Sequence, residues 1–259
     1  MDLLLLIGSL GLLCGFLSGL LGIGGGIIMA PLLLFVPPLV GLDALSMKVV
    51  AGLTIVQGLV ACVAGCCAHH EANLVSGRLA GWMGISIFLA SLIGGVASGW
   101  VNNLVLLCIF GGLAFVAAIL MFIQEKTTEE APDVNGMRFS RWRAVSTAGG
   151  VGLLGGLVGQ GGSFILIPLM TSFVNIPTRI AMGSNLAIVL LSTVAAFIGK
   201  AMTGQIEWLL AVPIVLTVIP AAYLGGHLSK RVPVLILRRL LAVFIGLAAV
   251  RIWVSLLTG

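Results

Sequence analysis

Charge is what this chain has least of. Only 8% of its 259 residues are charged and 60% are hydrophobic, so little polar surface is left to face water and a soluble domain is excluded. A mean hydropathy of +1.24 is that of a polytopic membrane protein. The formal net charge of +5 then reports on loop topology and does not predict a nucleic-acid partner. Carboxylates are missing from the middle of every apolar segment, because Asp43, Glu71 and Glu207 fall near segment ends. The usual acid of a proton relay is therefore absent. A basic stretch and a small-x-small cleavage signal are also lacking around the first apolar run, which is expected to be retained.

Catalytic signatures are absent as well. The chain has no G-x-x-x-x-G-K-S/T loop, no G-x-S-x-G elbow and no H-E-x-x-H helix. Gly150 to Gly155 spells the dinucleotide fingerprint in letters only, inside a membrane segment with no βα unit before it. His69, His70 and His227 lie at segment ends. A membrane-embedded enzyme would need paired catalytic side chains at depth, and no cofactor is expected.

The five cysteines, Cys14, Cys62, Cys66, Cys67 and Cys108, all sit in apolar segments, where a small hydrophobe is the ordinary role and a disulfide framework is not. Cys62, Cys66 and Cys67, followed by His69 and His70, raise the alternative of a soft-metal or thiol-compound carrier. No C-x-x-C pair is present, and close packing of small residues accounts for the cluster without a metal.

What the chain does have is eight apolar segments, at about 3–36, 49–68, 79–99, 104–123, 144–178, 180–199, 208–226 and 234–257. One polar connector divides them, giving a first membrane repeat over 1–124, a connector over 125–141 and a second repeat over 142–259. Gly15, Gly19, Gly22, Gly24, Gly25 and Pro31 return with unchanged spacing as Gly152, Gly156, Gly159, Gly161, Gly162 and Pro168. Lys48, Gly52 and Thr54 return as Arg179, Gly183 and Asn185, and Gly94-Gly95 as Gly225-Gly226. The chain is a duplication.

The first segment of each half would extend about 50 Å as one helix, against a hydrocarbon core of about 30 Å. Each must break, and the glycines mark where. If each broken segment returns to its starting face, one side holds Arg78, Lys126, Arg138, Arg141, Arg143, Arg179, Lys230, Arg231, Arg238 and Arg239, and the other only Lys48, Lys200 and Arg251. A single crossing by each broken segment divides the 13 basic residues seven against six, which favours neither side. The positive-inside rule selects the returning arrangement. The expected fold is an all-α polytopic membrane protein of two inverted repeats, each a glycine-broken re-entrant hairpin followed by three transmembrane helices. Both termini are then outside, and the connector is cytoplasmic.

A helix restarted inside the membrane presents unpaired N–H groups and its positive dipole end, and glycine lets a ligand approach that backbone. This suits an anion. The candidate site comprises Gly22, Gly24, Gly25 and Gly26 in the first half and Gly159, Gln160, Gly161, Gly162 and Ser163 in the second. Thr54, Gln57, Ser184 and Asn185 follow on the next helix of each half, where bonding to a neighbouring backbone is the competing role. Gly11, Gly15 and Gly19 are read as helix packing. Lys48 and Arg179 begin those next helices at opposite faces, as entrance charges for anions or as interfacial anchors.

At these residues the chain resembles the sulfite exporter TauE/SafE family, also called the toluene sulfonate uptake permease superfamily. The resemblance covers nearly the whole chain and rests on residues 19–26 with Pro31, their copy at 156–168, and Gly183-Ser184-Asn185, where such proteins often show Gly-Thr-Ser. It implies a multi-pass inner-membrane transporter of a small sulfur-containing anion, such as sulfite, thiosulfate, a sulfonate or sulfoacetate, working by alternating access. The lipid bilayer is the other partner.

Overall fold

The computed structural model describes residues 2–21, 26–68, 76–123, 139–229, 243, 245–247 and 249–254. The elements among them are α1 (Leu3–Leu21), α2 (Gly26–Leu39), α3 (Met47–Ala68), α4 (Gly77–Ala97), α5 (Asn103–Ile123), α6 (Arg141–Val158), α7 (Ser163–Ser172), α8 (Thr178–Met202) and α9 (Trp208–Ser229). A last helical stretch includes 249–254, and no strand occurs among the described residues. Residues 124–138, which include most of the 125–141 connector, lie outside them.

Six of the described helices, α1, α3, α4, α5, α8 and α9, are long and apolar enough to cross a membrane. The two helices that follow the glycine clusters are not. With 14 and 10 residues, α2 and α7 extend about 21 and 15 Å at 1.5 Å per residue, short of a core of about 30 Å. The second long apolar run is interrupted between α6 and α7, while residues 22–25, between α1 and α2, lie outside the described residues.

Glycines explain how the helices pack. Lipid is as apolar as a leucine side chain, so helices associate through close van der Waals contact, which small residues allow. A methyl group added to Gly15 would lie 2.9 Å from Cα of Val218 on α9, and one added to Gly152 would lie 2.8 Å from the Ile87 carbonyl on α4. Gly19 abuts Ala222, and Gly156 abuts Ser91. Gly225 abuts Phe16 and Leu20, while Gly94 abuts Leu153 and Leu157. A shift of 137 residues carries Gly15, Phe16, Gly19 and Leu20 onto Gly152, Leu153, Gly156 and Leu157. A shift of 131 carries Ile87, Ser91 and Gly94 onto Val218, Ala222 and Gly225. Each half thus lays its first helix against the equivalent helix of the other.

Contacts advance together along α1 and α9, from Gly8 with Pro213 to Gly19 with Ala222, so these two run parallel. Those between α4 and α6 advance in the same way, as do those between α4 and α8, where Gly84 meets Leu191 and Gly95 meets Ala196. Leu33, Leu53, Met83, Phe110 and Phe164 fill the core. Leu5, Ile85, Leu209 and Leu216 point outward, as lipid-facing side chains do. Trp100 and Trp142, both 79% exposed at helix ends, stand where interfacial aromatics stand.

The cations separate as well. The ammonium of Lys48 donates to the Gly99 carbonyl at 2.9 Å, and that of Lys200 donates to Ser98 Oγ at 2.7 Å. Arg251 stacks over Phe35 near the end of α2, one loop away from Lys48. At the opposite ends of the helices, Arg141 stacks over Trp82 in the first turns of α4, and Arg143 over Phe173 just after α7.

Candidate functional site

The second break is fully described. α6 ends in a Schellman turn, in which Gln160 N–H donates to the Gly155 carbonyl at 2.9 Å and Gly159 N–H to that of Gly156 at 3.3 Å. Gly159 sits at φ 76°, a conformation that a Cβ disfavours. A Cβ there would also overlap the Ala51 carbonyl of α3. Gly161 and Gly162 continue at φ 62° and 72°, and α7 starts at Ser163 with no side chain capping its first turn. Its first N–H groups have no intrahelical carbonyl to bond and carry the positive end of the dipole.

The first break meets the second. A Cβ on Gly26, the first residue of α2, would stand 3.5 Å from both Cα and Cγ of Gln160. Gly22, Gly24 and Gly25 lie outside the described residues. The restart of one half therefore rests against the break of the other.

Three buried amides lie on the second break and on α3 and α8, the helices that touch it at Ala51 and Ser192. Gln57, Gln160 and Asn185 are at most 4% exposed, and neither the oxygen nor the nitrogen of any of them has a hydrogen-bond partner among the described residues. Leaving one buried polar group unpaired costs about 1–3 kcal/mol, and such groups in native folds call for a partner outside the protein. Gln160 is the break itself. Asn185 lies on the face of α8 that carries Ser192 two turns on, and Ser192 Oγ donates to the Gly161 carbonyl at 2.9 Å. Gln57 follows Thr54 by one turn on α3. Gln57 and Asn185 are two of the four side chains that the sequence offers on the second helices, and Gln160 and Ser163 are the two that it offers at the break, where Ser163 is buried at the first position of α7.

Thr54 and Ser184 are spoken for. Thr54 Oγ1 donates to the Ala51 carbonyl at 3.2 Å, and Ser184 Oγ accepts from Ser76 N–H at 3.1 Å. Both are buried and hold backbone in place, the competing role that sequence allows them. Lys48 begins α3 with its backbone N–H bonded to Asn103 Oδ1. Arg179 lies in the first turn of α8, and its side chain lies outside the described residues. So do the side chains of Cys66 and Cys67, while Cys14 and Cys62 belong to the apolar core.

Two features escape sequence reasoning. With the Ser192 proton on the Gly161 carbonyl, Ser91 Oγ donates to Ser192 Oγ at 2.6 Å and shares that one proton with the Gly152 carbonyl 3.0 Å away. With the Ser192 bond to Gly161, this relay pins the second break to α4 and α6. The repeat-equivalent positions of Ser91 and Ser192 are Ala222 and Ala61, so the relay serves the second break and has no counterpart at the first. The other feature is Lys200, wholly buried in the last turn of α8.

Comparison with known proteins adds identity to this geometry. The family model described as sulfite exporter TauE/SafE matches residues 7–252. A probable membrane transporter protein, YunE, of Bacillus subtilis is 23% identical over 86% of each chain. One of Xylella fastidiosa is 29% identical over 89% of this chain and 86% of its own length, and one of Haemophilus influenzae is 23% identical over 95% and 96%. No solved structure matches the chain. These relatives are transporters and not enzymes, and the match runs through both breaks and nearly every helix. With six membrane-length helices and two glycine breaks placed against one another, this multi-pass membrane transporter belongs to the sulfite exporter TauE/SafE family.

Proposed function

We propose that the protein carries a small sulfur-containing anion, of the sulfite, thiosulfate, sulfonate or sulfoacetate type, across the inner membrane by alternating access around a site at the two breaks. The observation that carries this reading is the set of unpartnered buried amides, Gln57, Gln160 and Asn185, around a helix restart that lacks a side-chain cap. Amide N–H groups and backbone N–H groups are strong donors to an oxyanion and leave it room to depart, because none is a fixed cation. The glycines admit the anion to the backbone.

Two inverted repeats provide the moving parts. This is supported by the paired contacts of α1 with α9 and of α6 with α4, and by the parallel run within each pair. α8 and α9 join through a short turn at 203–207, so α9 and α1 run opposite to α4, α6 and α8. The first helices of the two halves then point in opposite directions, as inverted repeats require. Orientation follows from charge: the connector is cytoplasmic and both termini are outside. In a variant without native cysteines, a cysteine placed near residue 130 and another near residue 176 should both resist an impermeant thiol reagent added to intact cells. Labelling of one alone would break the inverted arrangement.

Transport itself is tested in vesicles. Reconstituted protein should take up radiolabelled sulfite, with methanesulfonate competing, and a variant lacking all five cysteines should retain that flux. Lys48→Gln and Arg179→Gln should each slow flux from its own side, with a deficit that shrinks as salt screens the charge over a Debye length of about 10 Å at 0.1 M. Flux that vanished with the cysteines would support the metal or thiol carrier, and chemical conversion of the anion would point to an enzyme.

A further inference from the structure

The break site is built from neutral groups, yet a buried cation stands beside it. Lys200 is 0% exposed. Its ammonium donates to Ser98 Oγ at 2.7 Å, to the Leu157 carbonyl at 3.2 Å and to Gln205 Oε1 at 3.3 Å. These oxygens come from the turn after α4, the last turn of α6 and the turn before α9. Leu157 precedes Gln160 by three residues, so the ammonium rests on the carbonyl end of the very helix whose break carries the candidate site. A cation at a helix C-terminus is favoured by the dipole, but neutral oxygens do not cancel its charge.

The charged group that faces Lys200 makes matters worse. Lys48, at the start of α3, bonds to Gly99 beside Ser98, and its charge repels that of Lys200. α4 and α6 present only Ser98 Oγ and a carbonyl. Glu207, on the same turn as Gln205, is exposed at the surface. Among the described residues Lys200 is thus a buried ammonium bonded only to neutral oxygens, an arrangement that is costly wherever water is excluded and marks function.

We propose that Lys200 is the buried counter-charge of the transported anion, and that it selects by charge, favouring divalent sulfur oxyanions over monovalent sulfonates. This rests on the reading of the break as the anion site. Coulomb attraction scales with the charge of the ligand, so a second negative charge gains from Lys200 as much again as the first. A residue that merely ties three segments together would act on all ligands alike.

Purified full-length protein in nanodiscs, titrated at pH 6 with thiosulfate and with methanesulfonate, separates the two roles. Lys200→Met is expected to weaken methanesulfonate roughly tenfold and thiosulfate roughly a hundredfold, for a charge about 10 Å away at an effective dielectric constant of about 20. Lys200→Arg, which keeps the charge, should restore most of both. Where Lys200→Met fails to fold, Lys200→Gln retains hydrogen-bond donors and removes the charge. Equal weakening of the two anions, or none, overturns the counter-charge while a loss in Gln160→Ala, measured alongside, leaves the break site standing. No effect of Gln160→Ala on either anion overturns the break site and this inference with it.

Discussion

Gly159→Val should abolish sulfite binding, by at least roughly a hundredfold. Two independent effects act there. The residue occupies φ 76°, which costs an L side chain about 1–2 kcal/mol, and its Cβ would overlap the Ala51 carbonyl. α3 cannot yield without moving Thr54 and Gln57, so the restart of α7 must move instead. Gly150→Val is the matched control, because a Cβ on Gly150 meets nothing within 4 Å. Both variants should insert and run as monodisperse particles, and only the first should lose binding. A Gly159→Val protein that binds sulfite like the parent would show that the break geometry is irrelevant to the ligand.

Removing the amides should weaken binding while leaving the fold as stable as before. Gln160→Ala and Asn185→Ala each delete a hydrogen bond to a charged ligand, worth about 1.5–3 kcal/mol. If the two add, the double variant loses roughly 3–6 kcal/mol, or about 10²–10⁴-fold in affinity. Neither amide has a protein partner, so its deletion orphans nothing. Thermal unfolding without ligand should therefore stay put or rise, the usual sign of a site that trades stability for function. A lowered melting temperature with unchanged binding would assign both amides to the structure and not to the anion.

Much of this architecture was legible in the chain, for reasons that can be named. An apolar run too long for one crossing has to break, and glycine is where a helix breaks most easily, so the break between α6 and α7 follows from length alone. Duplication was visible because packing glycines must keep their spacing when each half uses them for the same contact, as Gly15 and Gly152 do. Gln160 could be singled out because it interrupts a glycine cluster. Boundaries were less legible: α6 begins at Arg141, three residues before the apolar run, since Arg141 and Arg143 find aromatic faces to rest on.

Other parts need the third dimension. Ser91 and Ser192 are ordinary small residues in apolar segments, and their relay exists only because α4 and α8 run side by side. Lys200 reads as one more charge at the end of a span, and nothing local says that the α8–α9 turn folds back over it. Thr54 and Ser184 show the reverse, since hydroxyls that point to a ligand on paper satisfy themselves on nearby backbone.

The central claim is that one anion sits where the two breaks meet, and selenite offers the most direct view of it. Crystals of the full chain grown with selenite, an analogue of sulfite, would place the selenium by its anomalous signal. The account predicts a peak beside Gln160, within hydrogen-bond distance of its side-chain amide and the first N–H groups of α7. A peak elsewhere, with Gln57, Gln160 and Asn185 still unpartnered, would contradict it.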